Sequence, residues 1–182
     1  MYIVTYKGKF AFIKPWTAVR DCETFSQQFL TPSIIEGIEK KLFPELLHEK
    51  GIRKILRHKL AYESMSSQQE VTYPKNCKNY KSLLESKSVL KRVVFLHPTL
   101  YLAFENLDDA KKASKQHICL CRNEDILLPE QEVISIKDSE FNKIPGFELR
   151  FGRSEHSFLV GFNRFDDSSP MFGRLEYNGK SL

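Results

Sequence analysis

At 182 residues, 41% hydrophobic and 12% aromatic, the chain is long and apolar enough for one domain with a real core, which excludes a disordered or low-complexity protein. Residues 1–122 carry 21 Lys and Arg against 12 Asp and Glu, and residues 123–182 carry 7 against 11. This suits a polyanion partner on one side and a protein partner on the other, although charge that merely fluctuates along a surface reads the same way.

In chain order, residues 2–6 and 9–13 read as strand, with Gly8 marking a bulge or close approach and Pro15 ending the element. Residues 23–30 form a second extended piece. A helix then starts at Thr31, an N-cap candidate, with Pro32 where a missing N–H is harmless. Ile34, Ile35, Ile38 and Leu42 follow at helical spacing, Glu36, Glu39, Lys40 and Lys41 fall on the other face, and Pro44 stops the helix past Phe43. Gly37, inside that helix, implies close packing by a strand or by a nucleic-acid backbone. Residues 52–62 read as a strand bearing Arg53, Lys54, Arg57, His58 and Lys59. Residues 64–87 are polar without firm periodicity, and Lys75, Lys78 and Lys81 alternate there with Tyr73 and Tyr80; an RNA-touching protrusion and a solvated hairpin fit equally. Residues 88–104 give the strongest β signal, bent at Pro98. A short helix over 107–115 leads to strands near 117–121 and 125–136, then to others near 147–151, 157–162 and 171–177. The order predicts an α+β, ferredoxin-like βαββαβ domain with a β-rich C-terminal extension. Residues 1–122, including the 64–87 excursion, would form the ferredoxin-like part, and 123–182 the extension of the same unit.

The chemistry on offer is sparse. No Gly-rich phosphate loop, nucleophile elbow or His-Glu-x-x-His helix occurs, so neither a cofactor nor a metal is expected. Cys22 and Cys77 are isolated; Cys119 and Cys121, two apart in an alternating stretch, share one face of a strand without the second pair that zinc requires. Among the five histidines, His117 lies best placed for a phosphate, beside Lys115 and ahead of Arg122. Lys115 and His117 are therefore weak candidates for metal-free RNA cleavage, which needs a general base and a nearby cation. No run combines the features of a secretory leader, and no apolar stretch is long enough to span a bilayer. No membrane partner is expected, and the location is read as cytoplasmic.

Gly8 to Pro15 (GKFAFIKP), Glu23 to Ser26 (ETFS) and Leu30 to Ile38 (LTPSIIEGI) resemble the start of the Cas-five family, RAMP-type subunits of the CRISPR Cascade complex. Val93 to Phe104, Ile118 to Glu124, Val160 to Asn163, Pro170 to Phe172 and Glu176 to Gly179 are similar to later family segments, best in the subtype I-C branch. The resemblance implies an RRM-like domain with a thumb-like hairpin at 64–87. It implies a subunit that holds the 5′ handle of crRNA in antiviral defence, touches the backbone and large subunits, and meets target DNA only indirectly through the complex. Residues expected at the RNA are Lys14, Arg20, Ser33, Arg53, Arg57, Lys59, Lys75, Lys78, Lys91, Arg92, His117 and Arg122. In the cutting branch a tyrosine follows the first helix and a Lys-His pair sits in a later insertion. Here Phe43 replaces that tyrosine and the 105–118 connection is too short for the insertion. The departures favour a subunit that holds RNA without cutting it. The alternatives are a metal-independent endoribonuclease that processes precursor crRNA, and a protein-interaction module that binds no RNA.

Overall fold

The structure is a computed structural model and describes residues 1–17, 23–72 and 88–179. Its N-terminal half runs β1 (Tyr2–Lys7), β2 (Phe10–Ala11), β3 (Glu23–Phe25), α1 (Pro32–Leu42), a 3-10 turn (Pro44–Leu46), β4 (Ile55–Ala61) and β5 (Ser64–Thr72). Then come β6 (Ser88–Leu96), β7 (Thr99–Phe104), α2 (Leu107–Ala113), β8 (Ile118–Cys119), β9 (Ile126–Pro129) and β10 (Ile134–Ser135). The chain closes with α3 (Asp138–Lys143), β11 (Gly146–Phe151), β12 (Phe158–Asn163) and β13 (Ser169–Asn178).

In β1, Val4 and Tyr6 turn to one face and Ile3 and Thr5 to the other, and all four are buried. Such a strand belongs inside a sheet covered on both sides. It pairs antiparallel with β7, from Tyr2↔Phe104 to Lys7↔Thr99, and with β9 at Tyr6↔Pro129, while β4 takes the far edge of β7. The order β4–β7–β1–β9, with α1 and α2 as the two crossovers, is a ferredoxin-like α+β arrangement. The fourth strand, β9, lies past residue 122, so this unit draws on both of the expected segments.

Local chemistry sets the bounds of α1. Pro32 opens it, and Pro44 begins the 3-10 turn that follows Phe43. Thr31 has the extended backbone of an N-cap, but its hydroxyl makes no capping bond and instead meets the Ser33 hydroxyl at 3.2 Å. Ile35, Ile38 and Leu42 pack with Ala110 and Ala113 of α2 on Val4, Tyr6, Leu100, Leu102 and Phe104. Each large aliphatic buried there stabilises the fold by about 1.5–3 kcal/mol.

The polar face of α1 is largely covered, with Lys41 its exposed member. Glu36, Glu39 and Lys40 are buried because the loop through 49–55 and the turn after β12 fold over them. Glu39 accepts the main-chain N–H groups of Arg53, Lys54 and Ile55 at 2.6–2.8 Å. Glu36 holds the Lys40 ammonium at 2.8 Å and the Gly51 N–H at 3.0 Å.

The opposite sheet face is closed by α3, an element the sequence did not announce. Phe141 packs on Ile3 and Ala103, with Tyr101, Ile136 and Ile144 around it. The C-terminal strands extend the β4 edge as β11–β13–β12. Gly146 makes the junction with β4. Its φ is +131°, and a Cβ there would stand 2.7 Å from the Leu60 carbonyl oxygen, so both conformation and space demand glycine.

β5 and β6 continue the β4–β7 pair outward. The register passes from Ala61↔Thr99 to Ser64↔Leu96, three residues on along each strand, and holds without a slip to Thr72↔Ser88. The expected break at Pro98 is present: His97, at φ 49°, separates β6 from β7. The polar residues 64–72 are thus the outgoing strand of a long ribbon, and 88–96 its return. β2 and β3 flank the other side of β6. Residues 73–87, with Lys75, Lys78 and Lys81, lie outside the described residues, as do Arg20, Cys22 and Cys77.

Candidate nucleic-acid interface

The strand cations do not form one exposed face. In β4, alternation turns Arg57 and Lys59 toward α3, where both are buried. Arg57 forms a fork on Glu148 at 2.9 and 2.6 Å, reaches Asp138 at 2.6 Å and Asn142 at 2.7 Å, and lies over the Phe141 ring. The Lys59 ammonium donates to the carbonyls of Phe141, Asn142 and Ile144 at 2.7–3.0 Å, capping the C-terminal end of α3. Burial, aided by Arg57, lowers its pKa against the pull of Glu148. Both side chains, expected at an RNA surface, instead bind α3 and the C-terminal extension to the sheet.

Arg92 and Arg122 meet well along the ribbon, at Glu70. Glu70 accepts from both, at 3.3 and 2.9 Å, and Asp125 holds Arg122 at 2.7 Å. Each guanidinium carbon lies 5.4 Å from the centre of the Phe12 ring. These charges are largely spent on ion pairs that tie the ribbon to the turn after β8. Arg53 is exposed, 3.6 Å from Glu49. Lys14, Lys91, Lys115 and His117 are exposed, and no hydrogen bond joins Lys115 to His117. Phe43 is fully buried, edge-on to Phe104, with the Lys54 and Lys112 ammonium groups 4.3 and 5.3 Å from its ring centre.

A cationic groove does form, along α1. Gly37 and Ile38 make one wall and the turn after β8 (residues 120–123) the other, enclosing about 390 Å³. Lys41, Arg122 and Arg164 line it, and no carboxylate does. Lys41 and Arg164 are exposed and have no ion-pair partner among the described residues. Arg164 arrives from the turn after β12: a Cβ on Gly37 would lie 2.6 Å from its guanidinium nitrogen. Gly37 thus signalled close approach correctly, but the group that approaches is an arginine side chain from the far end of the sequence. Cys119 and Cys121 line the same groove, while Ile118 and Leu120 between and before them are buried. Only Cys119 belongs to β8, and Cys121 lies in the turn beyond it, so the expected shared strand face is not formed. Ser33, one turn before Gly37, is half-buried beside Thr31.

A second feature lies where the ribbon leaves the sheet. Phe95, Tyr62, Phe147 and Tyr177 follow one another as a row of rings, with centroid separations of 4.5, 6.0 and 4.7 Å. Three of these come from separate strands and Tyr62 from the β4–β5 bend, so no sequence spacing could have revealed the row.

This is the architecture of a ferredoxin-like α+β domain with a β5–β6 ribbon flanked by β2 and β3 and a charged groove beside its first helix. Its fold is shared with a solved chain described as a CRISPR RNA-guided surveillance complex, at TM-score 0.57 and 10% identity, covering 97% of this chain and 89% of that one. At that identity the likeness is one of fold. No protein-family model matches the sequence, and no curated protein matches it. Among the described residues no helix is long and apolar enough to cross a membrane.

Proposed function

We propose that this chain is a subunit of a CRISPR RNA-guided complex that grips the single-stranded 5′ handle of crRNA and does not cut it. The groove along α1 carries the proposal: Lys41 and Arg164, without ion-pair partners among the described residues, converge on it with no carboxylate among its lining residues, so it attracts a phosphate backbone. Because α3 closes the sheet face that an RRM uses for RNA, the strand leaves from the helix side, and the ribbon clasps it. Lys14, Ser33, Lys91, Arg53 and His117 are proposed as further contacts. Phe43 brings no hydroxyl to the place where a cutting relative has one. The chain fits beside the complex's backbone and large subunits, to which exposed Phe25, Leu128 and Phe162 offer apolar surface. Target DNA would be met only through the assembled complex.

Fluorescence anisotropy with a labelled repeat-derived handle and a scrambled strand tests this. The handle should bind more tightly at moderate salt, with log affinity falling by about 0.7 per phosphate contact for each tenfold rise in salt. Equal binding of the two strands would remove the reading, and cleavage of repeat RNA in EDTA would turn it toward an endoribonuclease.

A further inference from the structure

The row of rings borders a cavity of about 610 Å³ between the root of the ribbon and the C-terminal sheet. Tyr62, Phe147 and Tyr177 supply flat apolar walls. The polar groups on its rim decide what fits. Glu63 contributes the charged side chain among the lining residues, and it is negative, so a phosphate is excluded from the interior. Asn178 on the rim donates its amide nitrogen to the Asn142 carbonyl at 2.6 Å. Gln28 likewise donates to the Tyr62 hydroxyl at 2.7 Å. Among these rim groups the Glu63 carboxylate is the one that can only accept.

We propose that this cavity takes one unstacked nucleobase of the bound RNA, and that Glu63 selects guanine. Aromatic walls suit a base taken out of its stack. Guanine offers adjacent N1–H and N2–H donors that a carboxylate can accept together, while uracil would set its carbonyl oxygens against acceptors. The inference rests on the RNA-holding reading but makes a separate demand: base preference, where the groove demands only phosphates.

The test has two arms. Titrating the ¹⁵N-labelled chain with GMP or UMP should shift the Gly146 and Gly179 amides saturably, with GMP about tenfold tighter, in the range a two-donor base contact confers. Glu63→Gln, an exposed substitution, should bring GMP down to the UMP level, and Tyr177→Ala should weaken both. In the second arm, a strand of twelve uridines carrying one guanosine should bind about tenfold tighter than uridines alone, and Glu63→Gln should erase that gap without weakening the all-uridine strand. GMP and UMP binding alike, or neither shifting those amides, overturns the cavity proposal even if salt-sensitive RNA binding persists. GMP seated in the cavity of a chain that binds neither strand would uphold it and overturn the RNA-holding reading.

Discussion

Glu39 is buried and has both carboxylate oxygens committed to three successive main-chain N–H groups. Glu39→Ala should therefore destabilise the chain by about 3–5 kcal/mol, because buried donors are left unmet. Glu39→Gln keeps one acceptor oxygen and should cost less; urea unfolding of the two variants checks the order, and an alanine variant as stable as the parent would refute the account. His58 gives a pH-dependent counterpart. It is buried against Phe151, its Nε2 has no hydrogen-bond partner among the described residues, and burial, with Arg150 and Arg57 adding to it, pushes its pKa down to about 3. The unfolded chain takes up that proton near the ordinary value of 6.5. Stability from the neutral imidazole is thus complete above pH 6.5 and drains away as pH falls toward 3. Between pH 6.5 and 5 the loss should approach about 2 kcal/mol, since each pH unit is worth about 1.4. The carboxylates whose pKa values are lowered by partners, such as Asp138 and Asp166, titrate below that window. His58→Leu should flatten the slope there; an unchanged slope would place the proton uptake elsewhere.

Among the elements, α3 depends most on tertiary contacts. It has six residues and one buried apolar side chain, Phe141, and it stands because Arg57 and Lys59 hold it from β4. Arg57→Met alone should cost about 3–5 kcal/mol, as buried Glu148 keeps only Arg150, at 3.2 Å, as its ion-pair partner, whereas Arg57→Met with Glu148→Leu should recover most of that. Additive losses in a double-mutant cycle would contradict the pairing. The same dependence explains what could be read beforehand. The bounds of α1 and the break at Pro98 follow from prolines acting on their own neighbours, so both were legible. β5 was not, because Ser66, Ser67 and Gln69 are exposed and the strand shows no alternation to detect. Alternation put Arg57 and Lys59 on one face, yet nothing local said that α3 would cover it. In the candidate site only Gly37 gave a hint of Arg164, and nothing foretold that the Lys41 side of α1 would become a groove wall.

Across the whole molecule, the cations divide into two sets with separate tasks, and that division can be measured. Arg57 and Lys59 are buried at the interface between sheet and extension, while Lys41 and Arg164 stand exposed in the groove. Exposed charges contribute little to folding, within about 0.5 kcal/mol each, so Lys41→Gln with Arg164→Gln should move Tm by no more than about 2–4 °C. The same pair should weaken RNA binding and make its salt dependence shallower by about 1.4 in slope, the release expected for two lost phosphate contacts. Arg57→Met should do the reverse. Its cost of about 3–5 kcal/mol should lower Tm by about 10 °C, while RNA affinity measured well below the transition stays near the parent's. Thermal unfolding and anisotropy on the same four proteins (parent, groove pair, Arg57 variant and their combination) would show whether the two effects are independent. If the Arg57 variant lost RNA affinity while still folded, the sheet face beneath α3 would be part of the interface, and α3 would have to move aside for RNA to reach it.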